Sequence, residues 1–412
     1  MYNVIIKKSI AKGKVVAPPS KSMAHRYLIA ASISKNKFTI NNIEYSDDIK
    51  ATIESLRALN VHIKENEYSV EIDSREFLEN YDLNANNELF ANESGSTLRF
   101  MIPLCLLDGN ERVIKGSKKL FTRPLDEYKK LCDENGFNIN IKEGSVVLSG
   151  ILKEGEYHLS STQSSQFITG LIFALSYIRK KSKIILEGDI NSKSYINMTI
   201  DTLNDFGFNV SWENDNIINI DDKYEIKNNE YTVEADFSNA AFLDAFNYIN
   251  NGSNVEVMGL NNNSFQGDKV YKKHFDEIKN NMPTIDIKDI PDLAPILIAI
   301  SSINNGAKLI NTKRLKIKES DRGSAMKEEL KKCGVDIEVY DNDILVNKSD
   351  IKTPIEDIDS HNDHRIAMAM SVILSLTGGK ILNASSVNKS YPNFYNDISK
   401  LGINVEVENE TK

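Results

Sequence analysis

Leu131-Cys132-Asp133-Glu134-Asn135-Gly136-Phe137-Asn138-Ile139 joins an apolar helix-like run, a glycine and an alternating strand-like stretch. Gly136 suits the left-handed position that ends a helix. The apolar-polar-apolar alternation after it predicts a half-buried strand. The phrase returns as Leu203-Asn204-Asp205-Phe206-Gly207-Phe208-Asn209-Val210, as Leu330-Lys331-Lys332-Cys333-Gly334-Val335-Asp336-Ile337 and as Leu401-Gly402-Ile403-Asn404-Val405. Leu59-Asn60-Val61-His62-Ile63 is a weaker copy, and Asn280-Asn281-Met282-Pro283 a degenerate one.

The copies lie roughly 70 residues apart, a longer period than the 20–50 of ordinary solenoids. A chain of 412 residues holds about six such units. One hydrophobic core rarely serves more than roughly 250–300 residues, so length predicts two domains of three units each. Single helix-glycine-strand corners occur in any α/β protein; the even spacing is what favours repeats. The stiff Ala17-Pro18-Pro19-Ser20 and the polar stretch 221–230 set the expected boundaries. One domain is expected over 20–232 and the other over 1–19 plus 233–412, with the two chain crossings forming a hinge.

A hydrophobic fraction of 41% with 26% charged residues excludes a disordered or collagen-like chain. No stretch reaches the roughly 18 consecutive apolar residues of a membrane span. Met1-Tyr2-Asn3-Val4-Ile5-Ile6-Lys7-Lys8 lacks the basic-then-apolar order of a secretory signal, so a cytoplasmic location is expected. Cys105, Cys132 and Cys333 form no C-x-x-C pair, which fits a reducing compartment and argues against structural zinc. The net charge of −9 disfavours a nucleic-acid partner. Basic clusters in so acidic a chain need a local explanation.

Those clusters sit where helices are expected to begin. In Pro19-Ser20-Lys21-Ser22-Met23-Ala24-His25-Arg26, Ser20 is the expected cap, and Ser22 and Arg26 share a face at the positive helix end beside Lys21. Cations there oppose the macrodipole, so a bound anion explains them better than a solvated first turn. Asn92-Glu93-Ser94-Gly95-Ser96-Thr97-Leu98-Arg99 is a small-residue turn before a helix expected over 100–107. Its backbone N–H groups suit a phosphate or carboxylate, although it is no Walker loop. Thr122-Arg123-Pro124-Leu125 is expected to start a helix with Pro124 at its first position. Ser160-Ser161-Thr162-Gln163-Ser164-Ser165-Gln166-Phe167 carries more hydroxyls than one cap needs before a helix expected over 168–178. Ser192-Lys193-Ser194-Tyr195 repeats that theme, and such starts suit a polyhydroxylated or phosphorylated ligand.

The second half is denser. In Lys316-Ile317-Lys318-Glu319-Ser320-Asp321-Arg322, Ser320 is the expected cap and Arg322 lies just inside. His361-Asn362-Asp363-His364-Arg365 opens a long apolar helix. Asp289-Ile290-Pro291-Asp292 sets Asp292 at the start of an apolar helix over 293–303, where an acid is equally an ordinary cap. His361 and His364 lack a third ligand at metal spacing, so no metal is expected. Together Lys21, Arg26, Arg123, Lys318, Arg322, Arg365 and Lys389 point to a multiply anionic small substrate held between two domains. Glu319 and Asp292 are the acids for proton transfer.

In order and spacing, Pro19-Ser20-Lys21-Ser22…Arg26, Ser94-Gly95-Ser96-Thr97-Leu98-Arg99, Arg123-Pro124, Ser164-Ser165-Gln166, Ile290-Pro291-Asp292, Lys318-Glu319-Ser320-Asp321-Arg322, Asp363-His364-Arg365 and Lys389 resemble the EPSP synthase (3-phosphoshikimate 1-carboxyvinyltransferase) family of enolpyruvyl transferases over almost the whole chain. The resemblance implies an α/β fold of two inside-out domains, each of three βαβαββ repeats, with the active site in the cleft between them. It implies transfer of the enolpyruvyl group of phosphoenolpyruvate to the 5-hydroxyl of shikimate 3-phosphate, on the route to chorismate and aromatic amino acids. No cofactor or metal, no membrane and a monomeric chain are also implied. By position, Lys21, Ser22, Arg26, Ser164, Ser165, Ser192, Asp292 and Lys318 would hold shikimate 3-phosphate, with Tyr195 nearby. Gln166 would lie between the ligands. Lys21, Gly95, Arg123, Arg322, Arg365 and Lys389 would hold phosphoenolpyruvate, at the site that the herbicide glyphosate occupies in this family. The implied catalytic residues are Asp292, accepting the hydroxyl proton, Glu319, protonating the methylene carbon, and Lys21.

Arg314 and Glu93 stand where some family members carry asparagine, and neither is assigned a role. The sister family acting on UDP-N-acetylglucosamine typically has a cysteine shortly before Arg-Pro, and residues 116–124 contain none. A non-catalytic binding protein of repeated α/β units would explain the repeats but not acids beside cations at helix starts.

Overall fold

Strand, helix, strand, helix, hairpin is the order that the glycine phrases mark out, and the computed structural model, which describes residues 2–79, 88–162 and 164–409, follows it. Gln163 of the serine-rich stretch lies outside the described residues. The chain forms two compact units, residues 21–233 and residues 1–20 with 234–412. Strands β1 (Tyr2–Lys7) and β2 (Lys12–Val16) belong to the latter.

In the unit 21–233, the first repeat runs α1 (Lys21–Ile33), β3 (Lys37–Asn41), α2 (Asp47–Ala58), β4 (His62–Glu65), β5 (Ser69–Asp73). The second runs β6 (Glu88–Phe90), α3 (Gly95–Leu104), β7 (Arg112–Lys115), α4 (Asp126–Asn135), β8 (Asn138–Lys142), β9 (Ser145–Ser149). The third runs β10 (Glu156–Ser160), α5 (Ser165–Ile178), β11 (Ser182–Glu187), α6 (Lys193–Asp205), β12 (Phe208–Asn214), β13 (Ile217–Tyr224). β6 pairs in parallel with β7, and β10 with β11. An antiparallel hairpin completes each sheet, in the orders β6-β7-β9-β8 and β10-β11-β13-β12. The first repeat borrows its leading strand from the end of the unit: β14 (Glu230–Thr232) pairs in parallel with β3, Glu230 opposite Thr39.

In the other unit, β2, α7 (Phe237–Asp244), α8 (Phe246–Ile249), β15 (Asn254–Met258) and α9 (Tyr271–Asn280) make a reduced repeat whose sheet is the parallel pair β15-β2. A full repeat follows: β16 (Thr284–Asp286), α10 (Ala294–Ile303), β17 (Ala307–Ile310), α11 (Arg322–Lys332), β18 (Ile337–Val339), β19 (Asp343–Val346). The last is β20 (Ile358–Asp359), α12 (His364–Thr377), β21 (Gly379–Leu382), α13 (Phe394–Lys400), β22 (Asn404–Asn409), closed by β1, which runs antiparallel to β21 and β22. The predicted two-by-three repeat architecture is therefore present, with the fourth repeat lacking a hairpin among the described residues.

The missing hairpin corrects one sequence expectation. Asn281 is extended, with φ −146°, because α9 passes directly to the next repeat's leading strand and no helix-stop is needed. At Gly207, by contrast, φ is +94° and a Cβ would lie 1.9 Å from the Glu225 carbonyl oxygen, so only glycine fits.

The first helix of each repeat is buried almost all round. In α10 every residue from Ala294 to Ser302 is buried, and in α12 every residue from His364 to Ser375. The second helices are amphipathic; α9 buries Tyr271, Phe275 and Ile278, one face at helical spacing. Strands bury alternate residues, such as Val146 and Leu148 of β9. A helix apolar on all sides must be surrounded, so helices fill each core and sheets face out. Each fully buried Leu, Ile or Phe contributes about 1.5–3 kcal/mol. Among the described residues no helix is long and apolar enough to cross a membrane.

Candidate active site

In the unit 21–233 the predicted residues gather at helix N-termini. Helix α3 starts at Gly95 and α5 at Ser165, earlier than expected, because Ser94 and Ser164 cap polar first turns that carry no apolar period. Ser94 Oγ accepts the Thr97 N–H at 3.1 Å, and Ser164 Oγ accepts the Gln166 N–H at 3.3 Å. Pro124 does not open α4; Leu125 is the cap and Asp126 the first helical residue, and Arg123 before the proline is extended. That extended residue lays its guanidinium against the start of α3, where a Cβ on Gly95 would meet Arg123 Nη1 at 2.5 Å.

Lys21 Nζ donates to Asp48 Oδ2 at 2.8 Å. Gln166 Nε2 donates to Ser96 Oγ at 3.0 Å, and Arg99 Nη1 donates to Gln166 Oε1 at 3.2 Å, tying α5 to α3. Arg26 donates from Nη1 to the Ser22 carbonyl (2.7 Å), from Nη2 to the Tyr195 carbonyl (2.9 Å) and from Nε to Thr199 Oγ1 (2.9 Å). Burial pushes its guanidinium down to about 10, which leaves it cationic at neutral pH. Ser192, buried, precedes α6 in a left-handed conformation with φ +56°.

In the other unit a ring of charges forms where α10, α11 and α12 begin. Asp292 lies in the single 3-10 turn Pro291–Leu293 ahead of α10. Its Oδ1 accepts from Lys318 Nζ at 3.2 Å and Arg322 Nη1 at 2.7 Å, and its Oδ2 accepts from Arg365 Nη2 at 3.2 Å. Arg322 also donates from Nη2 to Glu319 Oε2 (2.8 Å) and from Nε to Asp363 Oδ2 (2.9 Å), so one fork spans three carboxylates. Ser320 does not cap α11. Asp321 does, accepting the Ser324 N–H at 3.2 Å, while Ser320 Oγ donates to Asp363 Oδ2 at 3.0 Å. Lys389 Nζ donates to the Asn362 carbonyl at 2.6 Å in the left-handed turn before α12.

Burial alone would raise Asp292, but Lys318, Arg365 and Arg322 hold it well below the usual carboxylate range. Burial pushes Lys318 down to about 8, with Arg322 and Arg314 adding to the shift and Asp292 opposing it. Arg314, in the 3-10 turn Lys313–Ile317, thus acts on the Lys318 amine; Glu93 is half-buried just before the α3 cap. Asp268, buried in the same unit, is pushed up to about 7 by burial and by Asp292.

Sequence reasoning missed Asp363, Asp268 and Asp48. Asp363 lies in the Asp363-His364-Arg365 motif, where the arginine carries the signal and the acid looks like the cap of α12 that it also is. Asp48 follows Asp47 in an ordinary-looking acidic first turn. Asp268 carries no local signal. Among the described residues one cluster has metal-ligand proximity, Glu328, Glu329 and His361; His364 is outside it. There Glu329 already accepts from Lys332 Nζ at 2.7 Å, from the Asp359 N–H at 2.9 Å and faces His361 Nε2 at 2.8 Å. A groove of about 670 Å³ on the outer face of the first sheet, lined by Lys37, Arg57, Lys64, Glu71 and Asp73, contains none of the predicted site residues.

The family model described as EPSP synthase (3-phosphoshikimate 1-carboxyvinyltransferase) matches residues 6–398. A 3-phosphoshikimate 1-carboxyvinyltransferase of Clostridium novyi is 38% identical over 98% of both chains, and that of Clostridium acetobutylicum 36% identical over 98% of both. Among solved structures, EPSP synthase of Acinetobacter baumannii superposes with a TM-score of 0.78 at 22% identity, covering 99% of this chain and 100% of that one. The enolpyruvyl transferase NikO of Streptomyces tendae gives 0.73 at 11% identity, covering 99% and 98%, and shares the fold. With the family model spanning nearly the whole chain and relatives this similar along their full length, the chain belongs to the EPSP synthase family of shikimate-pathway enolpyruvyl transferases.

Proposed function

We propose that the chain transfers the enolpyruvyl group of phosphoenolpyruvate to the 5-hydroxyl of shikimate 3-phosphate with Asp292 as base, Glu319 as acid and Lys21 serving both ligands. The observation that carries this is the Asp292 carboxylate ringed by Lys318, Arg322 and Arg365, with Glu319 on the same arginine. Two carboxylates that share a set of cations can exchange protons with a bound anion while the cations hold it.

The hydroxyl oxygen adds to C2 of phosphoenolpyruvate and its proton passes to Asp292, while C3 takes a proton from Glu319. Glu319 then takes back a methyl proton as the C2–O bond to the phosphate breaks, which forms the enol ether, and the phosphate leaves with the proton that Asp292 held. Both charge clusters would serve this one pair of ligands, Ser164, Ser165, Gln166, Ser192 and Tyr195 on the sugar-like ring and Gly95, Arg123 and Lys389 on phosphoenolpyruvate. Three cations make Asp292 a weak base in the described state. Ligand anions that take over those cations return its basicity, so the base is armed only when substrate is bound.

Phosphate release from phosphoenolpyruvate, with and without shikimate 3-phosphate and in excess EDTA, tests this. Release that requires shikimate 3-phosphate and ignores EDTA is expected. Release that instead requires UDP-N-acetylglucosamine would reassign the substrate, and silence with both would make the chain a binding protein.

A further inference from the structure

Hydroxyls buried in helices usually satisfy themselves on their own helix. Ser32 donates to the Leu28 carbonyl (2.7 Å), Ser34 to Ala30 (2.6 Å) and Thr202 to Met198 (2.7 Å). Thr52 of α2 and Thr97 of α3 do otherwise. Their Oγ1 atoms are 2.7 Å apart, Thr52 Oγ1 is 2.8 Å from His25 Nδ1 of α1, and Thr97 Oγ1 is 2.8 Å from Ser94 Oγ, the cap of α3. Thr97 Oγ1 also lies 3.4 Å from the Asp48 carbonyl oxygen. Thr52, Ser94 and Thr97 are 0% exposed and His25 1%.

Helical spacing makes this a ladder. Lys21 and His25 are one turn apart on α1, as are Asp48 and Thr52 on α2. The Lys21–Asp48 ion pair is the outer rung, His25–Thr52 the inner one, and Thr97, from the first turn of α3, reaches the α2 end of both rungs, at Thr52 Oγ1 and the Asp48 carbonyl. Burial, then Lys21 and Arg26, hold His25 well below its ordinary value, so the inner rung is uncharged. Packing alone does not require these groups, since valine fills the volume of threonine without a buried polar atom.

Resting on the reaction proposed above, we propose that His25, Thr52 and Thr97 are positioning residues for phosphoenolpyruvate, a buried relay that fixes the Ser94-Gly95 start of α3 relative to Lys21. None of the three needs to touch the ligand; they set the spacing between the amine and the helix N-terminus that would receive it.

Thr97→Val and Thr52→Val should each raise KM for phosphoenolpyruvate about three- to tenfold, the value of one ordinary hydrogen bond, with kcat and KM for shikimate 3-phosphate within about twofold. Thr97→Ser, which keeps the hydroxyl, should stay close to the parent protein. Equal rises in both KM values, a lower Tm with unmoved KM, or a Thr97→Ser variant as impaired as Thr97→Val overturns the relay. Calorimetric titration with inorganic phosphate tests it without turnover. Binding weakened by Thr97→Val and kept by Thr97→Ser supports the relay; phosphate binding absent from the parent protein, or unmoved by Thr97→Val, overturns it. Hydroxyl-dependent phosphate binding without shikimate 3-phosphate-dependent turnover would overturn the reaction and leave the relay standing.

Discussion

The unit 21–233 and the unit formed by 1–20 with 234–412 both present polar groups at the N-termini of buried helices, yet they do so with different chemistry. In the first, the groups joining α1, α2, α3 and α5 are mainly hydroxyls and amides: Ser94, Ser96, Thr97, Thr52 and Gln166, with Asp48 the carboxylate bound to Lys21. In the second, Asp292, Glu319 and Asp363 interlock with Lys318, Arg322 and Arg365. A hydroxyl cradle orients an anion without changing protonation, whereas a ring of acids and cations answers to every charge that enters it. On the proposed reaction, the first cluster would mainly hold and the second would also move protons.

The largest test of that division is Asp292→Asn. It should cut kcat by about 10²–10⁴-fold while shikimate 3-phosphate still binds, measured by steady-state turnover and direct titration. Near-normal turnover would remove Asp292 as the base and dissolve the contrast between the units. Gly95→Ala, in the holding cluster, should act oppositely. Its Cβ displaces the Arg123 guanidinium, raising KM for phosphoenolpyruvate about tenfold with kcat largely kept. A fall in kcat at unchanged KM would place proton chemistry in that unit too. The smallest effect concerns pH. Lys318 is cationic below its value of about 8 and neutral above it, so affinity for shikimate 3-phosphate should fall a few-fold as pH rises through about 8. Lys318→Met should remove that limb. A profile that keeps the limb in the variant would assign it elsewhere, Asp268 with its value of about 7 being the group to replace next.

Much of the fold was legible because helix stops are local chemistry. Gly136, Gly207, Gly334 and Gly402 all have positive φ, and each marks the end of a repeat's second helix. Asn281 misled because the fourth repeat drops its hairpin, an event with no residue-level signature. The true helix starts at Gly95 and Ser165 lie ahead of the expected ones, since apolar periodicity cannot see a first turn made of serine, threonine and glutamine. The cations of the site were visible as charges where the macrodipole disfavours them. Two of their carboxylate partners, Asp292 and Glu319, are equally legible. Asp363 and Asp48 are not, because Asp363 comes to Arg322 from a different repeat and Asp48 to Lys21 from a different helix. The ladder of His25, Thr52 and Thr97 was equally hidden, three helices contributing one ordinary residue each.

The borrowed strands give the two units different histories during synthesis. The unit 21–233 receives its closing strand β14 at residues 230–232, so its three sheets can be complete as soon as that segment is made. The other unit opens with β1 and must wait for β22, pairing Tyr2 with Asn409 across nearly the full chain. Long-range strand pairing of this kind is slow, and an unpaired edge recruits other chains while it waits. Vectorial folding therefore makes β1 wait longest for its partner, with the carboxylate ring assembled in the unit that finishes last.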